Sequence, residues 1–466
     1  MDTQRDLMAS CAVRRASAVA GALLLLFVFV AGAAAAATGT EDGSELWGYA
    51  NVRPKVHLFW WYYKSPQRVS SPAGRAWPTV LWLQGGPGGS GVGRGNFEEI
   101  GPLDVNLQPR NFTWLHKADL IFVDSPVGVG YSYADDPSAL ARTDRQAAAD
   151  VVALLTAVAR EIPGLPSSPL YLVGESYGGK HAAMAGVSLA RSIRAAAAAA
   201  AVNLTLGGVA LGDSWISPDD FALSYAQLLH DVSRMNDNAV GQANRMAQLV
   251  KKEMLCGQFA AARQTWTDLL DLIDSRSNGV NMDNFLIDTG MNPILADDLK
   301  TKSSSLRSSQ SVEPNTIDGI MNGVIKQKLK IIPKDIIWQE ASLDVYDALV
   351  NSFMRPAINE VDELLSYGVN VTVYNGQLDV ICSMIGTEAW VNKLKWGGLK
   401  KFLSLRRNPL HYCDSAIYCS KQIKAYFRSY RNLQFYWVLE AGHMVPVDQP
   451  YVAFRMIGSV TQSPAT

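Results

Sequence analysis

Residues 169–179 read Pro169-Leu170-Tyr171-Leu172-Val173-Gly174-Glu175-Ser176-Tyr177-Gly178-Gly179, and this stretch decides the fold. A short apolar run ends in G-x-S-x-G, and a helix-compatible segment, Lys180 to Arg194, follows. Strand, sharp turn and helix in that order build a nucleophile elbow. Small glycines let the turn close and leave the Ser176 hydroxyl exposed above a sheet edge. G-x-S-x-G by itself is common in loops; the flanking strand and helix give it chemical meaning.

Working outward, similar apolar runs recur. Trp47 to Lys64 is rich in aromatic and β-branched residues and reads as opening strands. Thr79 to Leu83 runs into Gly85-Gly86-Pro87-Gly88-Gly89, and Leu120 to Val123 into Asp124-Ser125-Pro126. Ala147 to Glu161 has helical periodicity, and Leu206 to Leu211, Val371 to Tyr374 and Leu433 to Leu439 read as further strands. Strands alternating with helices predict an α/β fold around a largely parallel sheet. Residues 217–366 differ. Ser217-Pro218 is a helix start, and Asn238 to Leu255, Ala260 to Ile273, Ile317 to Leu329 and Leu343 to Leu365 read as helices. This predicts a helical cap inserted over the catalytic face. Within it, Lys300 to Ser311 reads as a solvated loop, with a processing site as the sharper alternative. Ala195 to Ala201 is low-complexity, a helix extension or variable loop.

The 466 residues carry 42 basic and 43 acidic side chains, net −1, which gives no support for nucleic-acid binding. Arg5, Arg14 and Arg15 precede an apolar run, Ala18 to Gly32, and small residues, Ala33 to Ala37, follow. This is the pattern of a cleaved signal peptide over 1–37, and the apolar core is short for a membrane span. Removing the segment, with its three Arg and two Asp, leaves a net charge of −2. The mature product is expected in the secretory pathway, secreted or in a vacuole or lysosome, and not in a membrane. Cys256, Cys382, Cys413 and Cys419 remain in it, too few for a disulfide scaffold but enough for one or two bridges. Asn111, Asn203 and Asn370 open N-x-[ST] sequons and fit glycosylation.

A serine at an elbow needs a base, an orienting acid and an oxyanion hole, and α/β-hydrolases supply nucleophile, acid and base in the chain order Ser, Asp or Glu, His. Six histidines are candidates. His57 and His116 precede the elbow; His181 lies on the same helix as the serine and reads as a helix-face residue. His230 falls in the insertion and His411 in a polar loop. His443, in Glu440-Ala441-Gly442-His443-Met444-Val445-Pro446, follows the last strand, where a base must hang. Asp379 follows Val371-Thr372-Val373-Tyr374 and a turn-like Asn375-Gly376-Gln377-Leu378, ahead of Asp414, Asp344 and Asp347 as the acid. The oxyanion hole takes the amide of Tyr177 and one from the Gly-rich loop, Gly86. That loop lacks the G-K-[ST] of a P-loop, so nucleotide binding is not expected. No cofactor and no metal are expected.

These elements together resemble the serine carboxypeptidase family. The resemblance rests on Gln84-Gly85-Gly86-Pro87-Gly88, Phe122 to Ser132 (FVDSPVGVGYS), Gly174-Glu175-Ser176-Tyr177-Gly178-Gly179, Tyr374-Asn375-Gly376-Gln377-Leu378-Asp379 and Gly442-His443-Met444-Val445-Pro446, collinear over nearly the whole mature chain. Gly95 to Pro102 (GNFEEIGP) and Gly212 to Pro218 (GDSWISP) look most like the retinoid-inducible branch. The resemblance implies an α/β-hydrolase fold, a Ser176–Asp379–His443 triad and cleavage at peptide or protein C-termini. It also implies a receptor for the substrate's α-carboxylate: Gln84, the Gly85 amide, Glu99 and Glu175. Two acids bind an anion only when they hold protons, so peptidase activity is expected to favour acidic pH.

The sequence departs from the family at three places. Gln84 stands where many members have Asn, Gly89 where many have Cys, and Gln377 where an acid is frequent. Cys382 matches a cysteine near the catalytic centre, read either as a buried thiol or as a reactive one. Cys413 and Cys419 are left as a local pair or two free thiols. Two other functions compete: an acyltransferase on the same scaffold, against which Glu175 argues because transferase relatives often carry Asp there, and a non-catalytic interaction protein. A homodimer is compatible with the sequence.

Overall fold

The apolar runs fold as strands whose residues alternate between two hydrophobic cores, one on each face of the sheet. In β4, Val80 and Trp82 join one core while Leu81 and Leu83 join the other; in β7, Tyr171 and Val173 oppose Leu170 and Leu172. A strand buried on both faces needs no polar alternation, which is why these runs read as continuously apolar. The structure is a computed structural model describing residues 37–69, 76–195, 203–289, 316–413 and 419–465. The signal segment, the Lys300 to Ser311 loop and the alanine run beyond Ala195 lie outside the described residues.

Twelve described strands form one mixed sheet: β1 Thr38–Gly39, β2 Glu45–Arg53, β3 Val56–Tyr63, β4 Thr79–Leu83, β5 Asp119–Val123, β6 Tyr133–Ala134, β7 Pro169–Glu175, β8 Thr205–Gly212, β9 Asn370–Gly376, β10 Asn408–Cys413, β11 Cys419–Tyr430 and β12 Leu433–Val438. Their order is β1-β2-β3-β5-β4-β7-β8-β9-β12-β11-β10, with β6 beside β3. The central run from β5 to β12 is parallel, and both flanks are antiparallel. This is an α/β-hydrolase architecture. Helices α1 (Asp144–Glu161) and α2 (Tyr177–Ala195) cover one face. Thr143 caps α1 by accepting the Gln146 amide, and Val151, Leu155 and Val158 face the core. Phe97, Trp114, Met321, Trp338 and Met456 fill the other face.

Residues 218–277 form three packed helices, α3 (Pro218–Asp231), α4 (Asp237–Leu255) and α5 (Phe259–Ser277). Four expectations are corrected beyond them. The helix read over Ile317 to Leu329 is broken into Ile317–Ile320, a π-type turn and Lys326–Leu329, because Gly323 adopts a non-helical conformation. The helix read over Leu343 to Leu365 is three pieces, Leu343–Ala348, Val350–Phe353 and Ile358–Ser366: Leu349 leaves helical geometry at φ −94° and ψ 12°, and Pro356, with no amide to donate, separates the last two. Ser217 sits at the start of α3 but its hydroxyl donates to Asp219 (3.0 Å) and Asp220 (2.6 Å) instead of capping an amide. His411, expected in a loop, lies in β10, and the hairpin β10–β11 went unread because the edge strand β10 opens with Asn408-Pro409 and Lys421, Lys424 and Arg428 interrupt the apolar pattern of β11.

The elbow depends on close backbone packing. A Cβ on Gly178 would meet the Leu83 carbonyl oxygen at 2.0 Å. Gly178→Ala is therefore expected to lower stability by about 3 kcal/mol, read as a fall in the urea midpoint; an unchanged midpoint would mean that α2 has room to shift from β4.

Candidate active site

Every predicted catalytic residue leaves the carboxyl end of a parallel strand. Gln84 follows β4, Ser176 follows β7, Asp379 follows β9 and His443 follows β12. Open α/β sheets place their ligand sites at this edge.

Ser176 has φ of 58°, in the left-handed region that a side chain rarely adopts. Three backbone bonds hold it there: its N–H donates to Gly212 O (2.9 Å), and its carbonyl accepts from Gly179 (3.1 Å) and Trp215 (2.9 Å). Tyr177 opens α2, so its amide has no acceptor within the helix. The Gly-rich loop crosses directly over the serine: a Cβ on Gly85 would stand 2.7 Å from Ser176 Cβ and 3.2 Å from its Oγ. Gly86 comes next, at φ 117°. Gly89 has no room for a side chain, since a Cβ there would lie 2.9 Å from the Gly85 carbonyl oxygen. Asp124 anchors the loop, accepting from Ser90 Oγ and from the amides of Val92 (3.1 Å) and Tyr131 (2.8 Å).

His443 Nδ1 meets Asp379 Oδ2 at 2.8 Å, and Asp379 Oδ1 accepts the Cys382 amide at 3.0 Å. Asp379 is wholly buried. With Nδ1 engaged, Nε2 is the nitrogen left for a nucleophile. Among the described residues no hydrogen bond joins Ser176 to His443; such contacts tighten when substrate binds. Burial, the largest influence, disfavours the imidazolium, but the charge and hydrogen bond of Asp379, with the charges of Asp283 and Glu99, together outweigh it and raise His443. Burial also raises Asp379, against the pull of His443. Cys382 is buried and free, its donor atom within 4.8 Å of those of Asp379 and His443. Burial, then Asp379, pushes its thiol well up, so it stays protonated and a poor nucleophile. Cys256 and Cys413 are disulfide-bonded.

The four residues expected to read a carboxylate converge beside the serine. Glu99 closes a π-helix, Gly91–Ile100, and its Oε1 accepts Gln84 Nε2 at 2.9 Å; Gln84 Oε1 in turn accepts Trp82 Nε1 at 2.7 Å. Glu99 and Glu175 are both buried, and the Oε2 atom of each has no hydrogen-bond partner. Their carboxyl groups face each other closely enough for a proton to lie between them. Burial raises Glu99, with Arg94 and Gln84 opposing; burial, then Glu99 and Asp213, raises Glu175 well above the usual range.

Three residues were given no role in the sequence reading. Arg94 is buried and pairs with Glu98 (3.2 Å) and Glu340 (3.6 Å), its Nη2 also reaching Met444 Sδ at 3.3 Å. Asp283 accepts the His443 amide at 2.8 Å through its carbonyl, and Met282 accepts those of Val380 (3.0 Å) and Ile381 (2.8 Å). Residues 280–285 thus stitch the insertion to both the acid and the base. Asp213, at the end of β8, packs against Asp379. His181 is buried on α2, 3.8 Å from Asp144, and lowered by burial to about 4, which removes it as a base partner for Ser176. Asn111, Asn203 and Asn370 are all exposed.

These shifts set a stability profile. A group whose folded pKa lies above its unfolded value stabilises fully below the unfolded value and loses that contribution as pH rises through the folded one. Glu99, Glu175, Asp213 and His443 are all raised. His181, lowered, has the opposite sign but is exhausted above its unfolded value of 6.5. The urea midpoint is therefore expected to fall between about pH 6.5 and pH 8; a rise over that window would show that these acids are ionised in the native state.

A family model described as serine carboxypeptidase matches residues 36–463. Serine carboxypeptidase-like 51 of Arabidopsis thaliana is 51% identical over 439 residues, 91% of this chain and 93% of that one. The human retinoid-inducible serine carboxypeptidase is 41% identical over 91% of this chain and 92% of its own. A prohormone-processing carboxypeptidase from Saccharomyces cerevisiae superposes with a TM-score of 0.72 over 90% of this chain and 91% of its own, at 22% identity, which bears on the fold.

Proposed function

Because the chain belongs to the serine carboxypeptidase family and is a serine-type carboxypeptidase, we propose that Ser176, His443 and Asp379 carry out its hydrolysis of C-terminal peptide bonds. Ser176 Oγ attacks the scissile carbonyl as His443 Nε2 takes its proton, and the imidazolium returns that proton to the leaving amine. Asp379 holds the ring by Nδ1 and stabilises its charge. The amides of Gly86 and Tyr177 stabilise the developing oxyanion. Water, activated by the same histidine, then releases the acyl group. The observation that carries this reading is the 2.8 Å Asp379–His443 contact at the sheet edge where Ser176 is held at φ 58° under the Gly85 loop.

The substrate's α-carboxylate is read by Gln84 Nε2, the Gly85 amide and the Glu99–Glu175 pair. A proton shared by the two acids satisfies their unpartnered Oε2 atoms and turns an acceptor pair into a donor. Loss of that proton at higher pH sets negative charge against the substrate's own. Activity at acidic pH follows, and fits a lysosome- or vacuole-like compartment reached through the signal segment at 1–37. Among the described residues no helix is long and apolar enough to cross a membrane. The exposed Asn111, Asn203 and Asn370 suit glycans added on that route. The helices of residues 218–277 would cap the site and choose the residues flanking the scissile bond.

Incubated with a peptide library at pH 5, the enzyme is expected to release single C-terminal residues, and Ser176→Ala to lose at least about a thousandfold in kcat. Mass spectrometry showing equal release by the variant would remove Ser176 from the reaction. Glu175→Gln keeps a donor that cannot ionise, so the fall in kcat/KM for peptides from pH 5 to 8 should flatten relative to wild type; an unaltered slope would assign it to another group.

A further inference from the structure

Asp213 serves neither the triad nor the carboxylate receptor, yet it is wholly buried between them. It follows β8 at φ 41°, and its backbone N–H donates to Tyr374 O at 2.9 Å. Its Oδ1 accepts the Gly376 amide at 2.7 Å. These bonds clasp β8 to β9 three residues before Asp379. Its Oδ2 is buried with no hydrogen-bond partner among the described residues, and the Asp379 carboxyl group is the charged neighbour that acts on it most strongly.

Among the described residues no cation pairs with Asp213. Its charged or titratable neighbours are Asp379, Asp448 and Glu175, with the Tyr374 hydroxyl and the Cys382 thiol, both held neutral by burial. Two ionised carboxylates in contact, dry and without a counter-ion on one side, are strongly disfavoured, so the pair keeps a proton. The contacts say which partner holds it. Asp379 has the His443 imidazole and the Cys382 amide to support an anion; Asp213 has the Gly376 amide alone.

We propose that Asp213 is a positioning residue that stands as a neutral carboxylic acid and donates its Oδ2 proton to Asp379, so fixing the triad acid's rotamer and setting the lower pH limit of activity. The proposal rests on the triad reading above. The sign follows from charge. An O–H donor draws negative charge from Asp379 and weakens its hold on the imidazolium. His443 then gives up its proton at lower pH, as an enzyme of an acidic compartment requires. Asp283 and Glu99, which also support the imidazolium, are untouched by this bond. Burial, then the Asp379 charge, raises Asp213 well above the carboxylate range, in the direction required.

The experiment is the pH dependence of kcat for a peptide substrate in wild type, Asp213→Asn, Asp213→Ala and Ser176→Ala. Asparagine keeps both the acceptor for Gly376 and a donor for Asp379; alanine removes both. The acid limb is expected about one pH unit higher in Asp213→Ala, with asparagine restoring the wild-type position. Equal limbs in all three, or an asparagine limb displaced as far as alanine's, would overturn the proposal. Should Asp213→Ala fail to fold, infrared difference spectra of wild type against Asp213→Asn at pH 7 decide. Loss of a protonated carboxyl C=O band supports the neutral acid, and a carboxylate band in its place overturns it. Activity surviving in Ser176→Ala would defeat the triad itself, which the infrared readout does not depend on.

Discussion

Four carboxyl groups, those of Glu99, Glu175, Asp213 and Asp379, are buried along one edge of the sheet and cannot all be ionised. Three of them follow β7, β8 and β9, which run parallel and adjacent. Neighbouring strands lie ~4.8 Å apart, so acids placed at equivalent strand ends stand against one another. Desolvation and mutual repulsion both oppose charge there, and the nearest cations, Arg94 and His443, sit at the two ends of the row. Protons must be retained between them. In the proposed reading, one side of the row would offer hydrogen bonds to a substrate carboxylate and the other would bear on the histidine.

The fold makes this arrangement affordable by building it from backbone. Ser176 is held at a strained φ by bonds to the ends of β8 and to the chain just beyond it, and Asp213 ties β8 to β9. Asp379 and His443 hang on loops sewn to residues 280–285 of the helical insertion by the carbonyls of Met282 and Asp283. Residues 280–285 are therefore part of the frame that holds Asp379 and His443. A substitution in that loop would reach the triad through main-chain bonds without touching substrate.

Much of this was legible in the sequence. The elbow, the strand-end positions of Asp379 and His443, and the Gly-rich loop all declare themselves through local pattern, because a strand, a tight turn and a helix start each have their own residue preferences. Ile317 to Leu329 and Leu343 to Leu365 were over-read as continuous helices. Their apolar spacing persists across the breaks, although Gly323 and Pro356 stood in plain view. Asp213 was quoted within a family-like stretch and given no role. Its importance comes from β8 lying between β7 and β9, a pairing with residues 163 positions away that no local pattern records. Asp283 was invisible for the same reason. Short-range physics is written along the chain, and strand order is not.

The central claim is that a retained proton, and not a fixed positive charge, reads the substrate's C-terminus. The most direct measurement compares kcat/KM from pH 5 to 8 for one peptide with a free C-terminal carboxylate and for the same peptide as its C-terminal amide. The account predicts that the advantage of the free acid over the amide is largest at pH 5 and shrinks as pH rises, while the amide's own rate does not fall with it. A constant preference for the acid across the range, or a parallel fall for both substrates, would contradict it.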